Sequence, residues 1–196
     1  RWIDDLDIVA CNETISEDIL LSLPCYGGLD LASVRDLTSL VLMWRVGEKI
    51  VVKHWTFIPE DKFEGRSGGT DGVNYMEWAD YLEITKGNVT DYNFVKAKIF
   101  ELCEKYNVQS IAYDRWNSSQ LVIECVDEGL KMSPFGMGYK SLSPAAKEIE
   151  SKIMTRDFIY FSDPIIRWQF GNVQLEIDAA ANIKPNKAKS SDKIDT

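Results

Sequence analysis

The sequence is short of the residues on which much enzyme chemistry depends. It has one histidine, His54, in 196 residues, and that residue sits in a strand-like run. Ser-His-Asp and Cys-His catalysis, and histidine-based nuclease chemistry, therefore have little to draw on. The four cysteines (Cys11, Cys25, Cys103, Cys125) are scattered, with no CxxC pair and no partner histidines. That spacing argues against a zinc finger or a His-Cys metal site and fits a reducing compartment. No apolar run approaches the ~20 residues of a membrane span, and the acidic start "RWIDDLDIVA" is not a signal peptide. Positive charge is scarce as well. Lys and Arg number 22 against 31 Asp and Glu, a net charge of -9, which argues against holding nucleic acid by bulk electrostatics. A G-x-x-x-x-G-K-[ST] phosphate loop is missing; "GRSGGTDG" lacks the lysine and does not follow a strand. The chain starts at Arg1 and closes on "SSDKIDT", which looks like the opening of a helix, so it reads as a piece of a larger protein.

What is present suits one generous folded domain. Residues 1–23 are acidic with scattered leucines and read as a linker or docking helix, the remnant of a preceding region. Residues 24–196 carry the domain. "CYGGLDLA" reads as a short strand, and 37–46 and 49–59 as two longer ones joined by a Gly47-Glu48 turn, a three-stranded antiparallel meander. The Gly- and charge-rich stretch 60–72 predicts a mobile loop. Helical spacing follows over 73–83, with Tyr75, Trp78 and Leu82 on one face. After a turn at Gly87-Asn88 and a cap from Thr90 or Asp91, a second helix places Phe94, Ile99, Leu102 and Tyr106 near one stripe. Then come a strand at 108–114, a helix over 118–129 and an extended segment at 130–138. A further helix has Ser143 as N-cap and Pro144 as its first residue, and 157–161 is a short strand. Residues 163–178 mix helical and extended features. Three leading strands followed by alternating helices and strands describe an α/β fold. A ribonuclease H-like mixed β-sheet, the antiparallel meander extended by parallel strands and flanked by helices, is one of a handful of architectures with this order.

Several acids stand where chemistry could use them. Asp30 follows Gly27 and Gly28 and lies between Leu29 and Leu31. An acid there is a turn residue, a sign that the stretch is not a strand, or a ligand for a cation, and the glycines would let another backbone approach closely. Asp114 ends an apolar strand directly before a helix, where the sites of open α/β sheets gather. A helix cap is the other reading, although Asn117 or Ser118 could serve. Asp192 and Asp195 would project from one face of a C-terminal helix, or are acids favoured in a first turn by the helix dipole. If Asp30, Asp114 and a C-terminal acid meet, their repulsion calls for a cation, and carboxylate oxygens suit magnesium or manganese. Two such ions ~4 Å apart activate a water and stabilise the leaving oxygen of a phosphodiester without any histidine. Basic residues gather only in "NIKPNKAKSSDK", where Lys184, Lys187, Lys189 and Lys193 face the single acid Asp192. That is a solvated loop or a contact for a polyanion.

"GLDLASVRDLT", "YDRWNSSQLV", "DFIYFSDPIIRWQFGNV" and "NKAKSSDKID" occur in this order and at these distances. Together they resemble the C-terminal nuclease domain of the large terminase subunit of tailed bacteriophages, or of a prophage, over roughly residues 24–196. The resemblance implies a ribonuclease H-like fold and a metal-dependent endonuclease that cuts concatemeric viral DNA during genome packaging. It implies two-metal-ion catalysis with Mg2+ or Mn2+, in which Asp30 bridges both ions and Asp114 and Asp195 complete the catalytic set. Asp192 matches a position where relatives hold an auxiliary ligand, often histidine. Asp36 reads as a hairpin residue near the site. Arg115, Lys187, Lys189 and Lys193 are the implied DNA contacts. The implied partners are double-stranded DNA, an ATPase domain upstream in the same polypeptide, the portal and the small terminase subunit, and no membrane. The implied place is the cytoplasm of the bacterial host, on the viral procapsid. Two other readings stay open: another ribonuclease H-like nuclease of resolvase or transposase type, which usually has a more basic surface, and a non-catalytic docking module of the packaging motor.

Overall fold

Three strands with period-2 patterning lay down the centre of the fold. β1 (Pro24–Asp30), β2 (Thr38–Val46) and β3 (Lys49–Pro59) pair antiparallel in sequence order, as the meander reading expects. The turn between β2 and β3 holds Gly47 at φ 61°, a left-handed conformation that a side chain resists. The computed structural model describes residues 2–31, 37–65, 73–115 and 120–195. Asp36, residues 66–72 of the expected mobile loop and the alternative caps Asn117 and Ser118 lie outside them. Residues 60–63 of that loop form one helical turn, α3 (Glu60–Phe63).

Parallel strands extend the meander on both sides. β4 (Leu82–Thr85) adds to β3, β5 (Asn107–Asp114) adds to β1, and β6 (Met132–Phe135) adds to β5. β7 (Phe158–Ile159) joins the other end of β3, giving a seven-stranded mixed sheet among the described residues. The alternation of side chains then assigns two faces. On the first, Cys25, Leu29, Leu40, Leu42, Trp44, Val51 and Phe57 pack against α4 (Tyr92–Lys105) and α5 (Gln120–Asp127). On the second, Ile50 and Val52 pack against α6 (Tyr139–Met154) and α7 (Pro164–Asn172) through Ile153 and Ile166. The segment before Pro24 forms α1 (Asp5–Val9) and α2 (Glu17–Ser22). Ile3, Ile8 and Cys11 join the second face and Leu20 joins the first, whereas Leu6 and Leu21 face solvent. No helix among the described residues is long and apolar enough to cross a membrane.

Some local expectations are corrected. Leu82 does not end a helix; a 3-10 turn over Tyr75–Tyr81 gives way to β4, because the edge of β3 supplies partners that a four-residue pattern does not advertise. Asp91 caps α4 through Asn93 N–H as expected, but Val95 rather than Phe94 fills the buried stripe. α6 begins a turn before Ser143, so Pro144 lies inside it rather than at its first position. The Ser143 hydroxyl, expected to cap its own helix, instead accepts from Ile183 N–H at the start of β9 (Ile183–Pro185), which pairs with β8 (Leu175–Ile177). Residues 163–178 resolve into α7, capped by Asp163, and then β8.

Among the described residues the expected C-terminal helix does not form, and residues 190–195 are bent and irregular. Several of their polar groups are taken by residues outside the segment. Ser191 N–H donates to Asn172 O, the Asn172 side-chain amide donates to Lys193 O, and Ser190 Oγ accepts from Gln174 N–H. A short stretch gains little from isolated helix formation, so these cross-chain bonds decide its path.

Candidate active site

Gly27 and Gly28 share a motif but serve different needs. A Cβ at Gly27 would stand 2.9 Å from Ile111 Cγ1 on β5, so only glycine fits. A Cβ at Gly28 would meet nothing within 4 Å, and this residue opens onto a cavity of about 290 Å³ on the second sheet face. The register explains what gathers there. Leu29 pairs with Tyr113, so Asp30 and Asp114 come next on their parallel strands, at the carboxyl ends where ligands of such sheets collect. Ser39 lies opposite Asp30 on β2. The C-terminal segment brings Asp195 to the same cavity, and Phe135, Met137 and Leu142 form an apolar wall.

One cation is already placed among these acids. Lys187 Nζ lies 2.8 Å from Asp30 Oδ2 and 2.6 Å from Asp195 Oδ1. Burial raises the Asp30 pKa; Lys187 opposes this, and the charges of Asp195 and Asp114 raise it further. Burial would lower the pKa of Lys187, but Asp30 and Asp195 overcome that and hold it above its ordinary value. Burial and the Asp30 charge also raise the hydroxyl pKa of Tyr92, the first residue of α4. Asp195 is 7% exposed, and its Oδ2 is buried with no hydrogen-bond partner among the described residues. A buried, undonated carboxylate oxygen beside two more carboxylates is a donor set suited to a hard cation. Among the described residues, no three acid, histidine or cysteine side chains are gathered tightly enough to hold an ion as they stand; the Lys187 ammonium lies between two of the three acids.

The other expected residues spread around this cavity. Asp192 is not part of its lining, and its Oδ1 accepts from Lys193 N–H. Arg115 follows Asp114 and is exposed, its guanidinium near Gly136 beside the apolar wall. Lys189 is exposed, whereas Lys193 is half-buried. Lys184 is engaged elsewhere, 3.4 Å from Glu176 and over the Tyr139 ring. Reasoning from sequence missed Ser39 and the wall residues. Ser39 had a signal, a small polar residue at the head of an apolar strand, but its pairing with Asp30 depends on a register that sequence alone does not set. Phe135, Met137 and Leu142 carried no signal.

Known proteins resemble this arrangement closely enough to place it. Residues 22–196 match the family described as terminase large subunit, endonuclease domain. The terminase large subunit of Enterobacteria phage HK97 is 31% identical over 177 residues, 87% of this chain and 34% of that protein, so the chain spans about a third of its relative. The crystal structure of the HK97 bacteriophage large terminase superposes with a TM-score of 0.87 at 29% identity, over 99% of this chain and 41% of that one. The large terminase nuclease from thermophilic phage G20c superposes with a TM-score of 0.55 at 11% identity, over 84% of this chain and 73% of that one, a likeness of fold. The mixed sheet is thus the ribonuclease H-like fold of these nuclease domains. The resemblance read from the motifs is borne out: this chain belongs to the terminase large-subunit endonuclease domain family.

Proposed function

We propose that this domain is a metal-dependent endonuclease that cuts concatemeric double-stranded viral DNA during genome packaging. One observation carries the reading. Asp30, Asp114 and Asp195, from β1, β5 and the C-terminal segment, line one cavity, and a buried oxygen of Asp195 has no donor among the described residues. Their oxygen-only chemistry fits magnesium or manganese. Asp30, on a central strand, would be common to two such ions, and Asp114 and Asp195 would complete the set that holds them. Bound there, the ions supply an activated water and stabilise the leaving oxygen of the phosphodiester. The protein's own part is to fix Asp30 and Asp114 on neighbouring strands, to bring Asp195 beside them, and to wall one side with Phe135, Met137 and Leu142. Lys187, half in solvent, offsets the repulsion between Asp30 and Asp195 and, with Arg115, Lys189 and Lys193, approaches the DNA backbone. Asp192 is at most an auxiliary ligand, since one of its oxygens already serves Lys193 N–H.

The nuclease unit is residues 24–196, and 1–23 lead in from what precedes it. An upstream ATPase domain, the portal and the small terminase subunit bring DNA to this acidic domain on the procapsid in the host cytoplasm. Weak intrinsic affinity then limits indiscriminate cutting. The test is nicking of supercoiled plasmid with manganese or with chelator. The parent is expected to cut only with metal, and Asp30→Asn to lose cutting while its circular dichroism stays unchanged. Equal cutting by both proteins would remove the assignment. A docking module with solvated acids instead shows no change of melting temperature with manganese.

A further inference from the structure

Asp195 differs from its two companions in having no regular element to hold it. Asp30 and Asp114 are fixed by the pairing of β1 with β5, whereas residues 190–195 belong to neither helix nor strand. A carboxylate that is to meet an ion needs a backbone that stays put. The bonds that hold this one lead to a single short stretch, residues 172–176.

Where the segment begins, Asn186 N–H donates to Gln174 O over 2.9 Å, and the Asn186 amide donates to Glu176 Oε2 over 3.0 Å. Ser190 Oγ accepts from Gln174 N–H and donates to Asn186 O over 2.8 Å. These bonds close the turn that carries Lys187. Nearer to Asp195, the contacts run to Asn172. Its carbonyl accepts from Ser191 N–H over 3.3 Å, and its side-chain amide donates to Lys193 O over 3.0 Å. Lys193 O is a carbonyl and only accepts, so the NH2 group faces it and Oδ1 faces the Ser191 hydroxyl, 3.4 Å away. One residue thus grips the chain on both sides of Asp192, and its second grip falls two residues before Asp195.

Asn172 is itself well held. It ends α7, where Ile165, Ile166 and Gln169 are buried. The next carbonyl, Val173 O, accepts from Trp2 N–H, and Arg167 makes two hydrogen bonds to the Asp5 carboxylate, 2.9 and 2.7 Å long. Asn172 is not among the described residues that line the cavity of the three acids.

We propose that Asn172 is a positioning residue for the nuclease site. Through Ser191 and Lys193 it sets where the Asp195 carboxylate stands beside Asp30, and thereby how tightly the site takes its metal ions. The role rests on the nuclease reading above.

Two variants and a control test it. Asn172→Ala removes the amide and leaves the backbone bond to Ser191. Asn172→Asp keeps the shape but sets an oxygen against Lys193 O, where the amide donated. Gln174→Ala is the control, since Gln174 holds the segment through its backbone alone. The dissociation constant for manganese, read without DNA from the EPR signal of the free ion, should rise about 10- to 100-fold in both Asn172 variants. It should stay parental in Gln174→Ala. In chelator, amide exchange over residues 191–195 should quicken in the Asn172 variants while that of β1 and β5 is unchanged. Plasmid nicking should fall at limiting manganese and recover at saturating manganese, with KM for DNA unchanged, whereas Asp195→Asn should not recover at any concentration. A merely structural residue would lower the melting temperature in chelator and leave the manganese constant alone. That result overturns the proposal. So do parental exchange over 191–195, loss of folding in both variants, or a change confined to the KM for DNA. A parent that binds manganese and nicks DNA beside Asn172 variants that match it ends this proposal alone. A parent that neither takes up manganese nor cuts DNA ends the nuclease reading, and the role of Asn172 with it.

Discussion

Glu17 and Asp30 are both acids bound by lysine, and their surroundings drive them in opposite directions. Glu17, at the start of α2, accepts from Lys53, Lys105 and the Tyr106 hydroxyl. Burial alone would raise its pKa, but these donors pull it down to about 2. Asp30 has one ammonium, Lys187, which it shares with Asp195, and burial together with two neighbouring acids raises its pKa. Among the described residues, donors outnumber the acid in the first cluster and carboxylates outnumber the ammonium in the second. The first is saturated and fastens α2 to β3 and to the end of α4. The second keeps acceptor capacity in reserve, most plainly at Asp195 Oδ2. A carboxylate cluster short of donors is a poor brace and a good receptor for cations.

Exchanging acids for amides in both clusters should separate them most. Asp195→Asn removes a proposed ligand worth several kcal/mol at the transition state, so plasmid nicking should fall on the order of 10³-fold. Glu17→Gln should leave the nicking rate at the parental value, and a comparable loss in both would erase the contrast. Removing the cations comes next. Lys187→Met leaves Asp195 buried without its donor, at about 1–3 kcal/mol, or a melting temperature lower by about 2–4 °C per kcal/mol in chelator. Manganese should then raise the melting temperature of Lys187→Met more than that of the parent, whereas Lys105→Met should respond to manganese as the parent does.

Acid is the third lever. The Glu17 pKa is depressed from 4.5 to about 2, so its contribution is present above the unfolded value and is lost as pH falls from 4.5 towards 2. With its side chain 38% exposed, that contribution is about 1 kcal/mol after allowing for solvent screening. Urea denaturation of Glu17→Gln should therefore show a flatter loss of stability across this window. Asp30, with a raised pKa, works in the other direction: its contribution is full at low pH and fades as pH rises through the folded value. Tyr106→Phe is the smallest change. It removes one donor from Glu17 for about 0.5–1.5 kcal/mol and leaves cutting unaffected, and calorimetry should resolve it.

How much of this was legible in the sequence depended on how local the cause was. The meander was legible because period-2 alternation and a Gly47 turn are written in adjacent residues. Asp30 and Asp114 were legible as strand-end acids for the same reason. Asp195 was singled out as an acid, but its route to the cavity was not legible. A helix was expected where bonds to Asn172 and Gln174, remote in sequence, shape an irregular segment. Lys187 was read as a DNA contact, and nothing in "NKAKSS" announces that its ammonium would lie between two aspartates. His54 was set aside as a strand residue, correctly, yet its pairing with Asp163 crosses from β3 to α7 and leaves no local trace. Pro144 misled because proline favours a helix start without requiring one.

The contact between Gly27 and Ile111 reaches further than its size suggests. These residues are register partners on β1 and β5, and the acids Asp30 and Asp114 each stand three positions further along the same strands. The glycine acts as a gauge block of zero thickness. A methyl group at position 27 would press on Ile111 and wedge the two strands apart, and that error would be read out three residues later as a changed span between two carboxylates. Trimming the opposing side chain, as in Gly27→Ala with Ile111→Val, should return the span, so the tolerances of a catalytic centre can be set by a residue that never faces it.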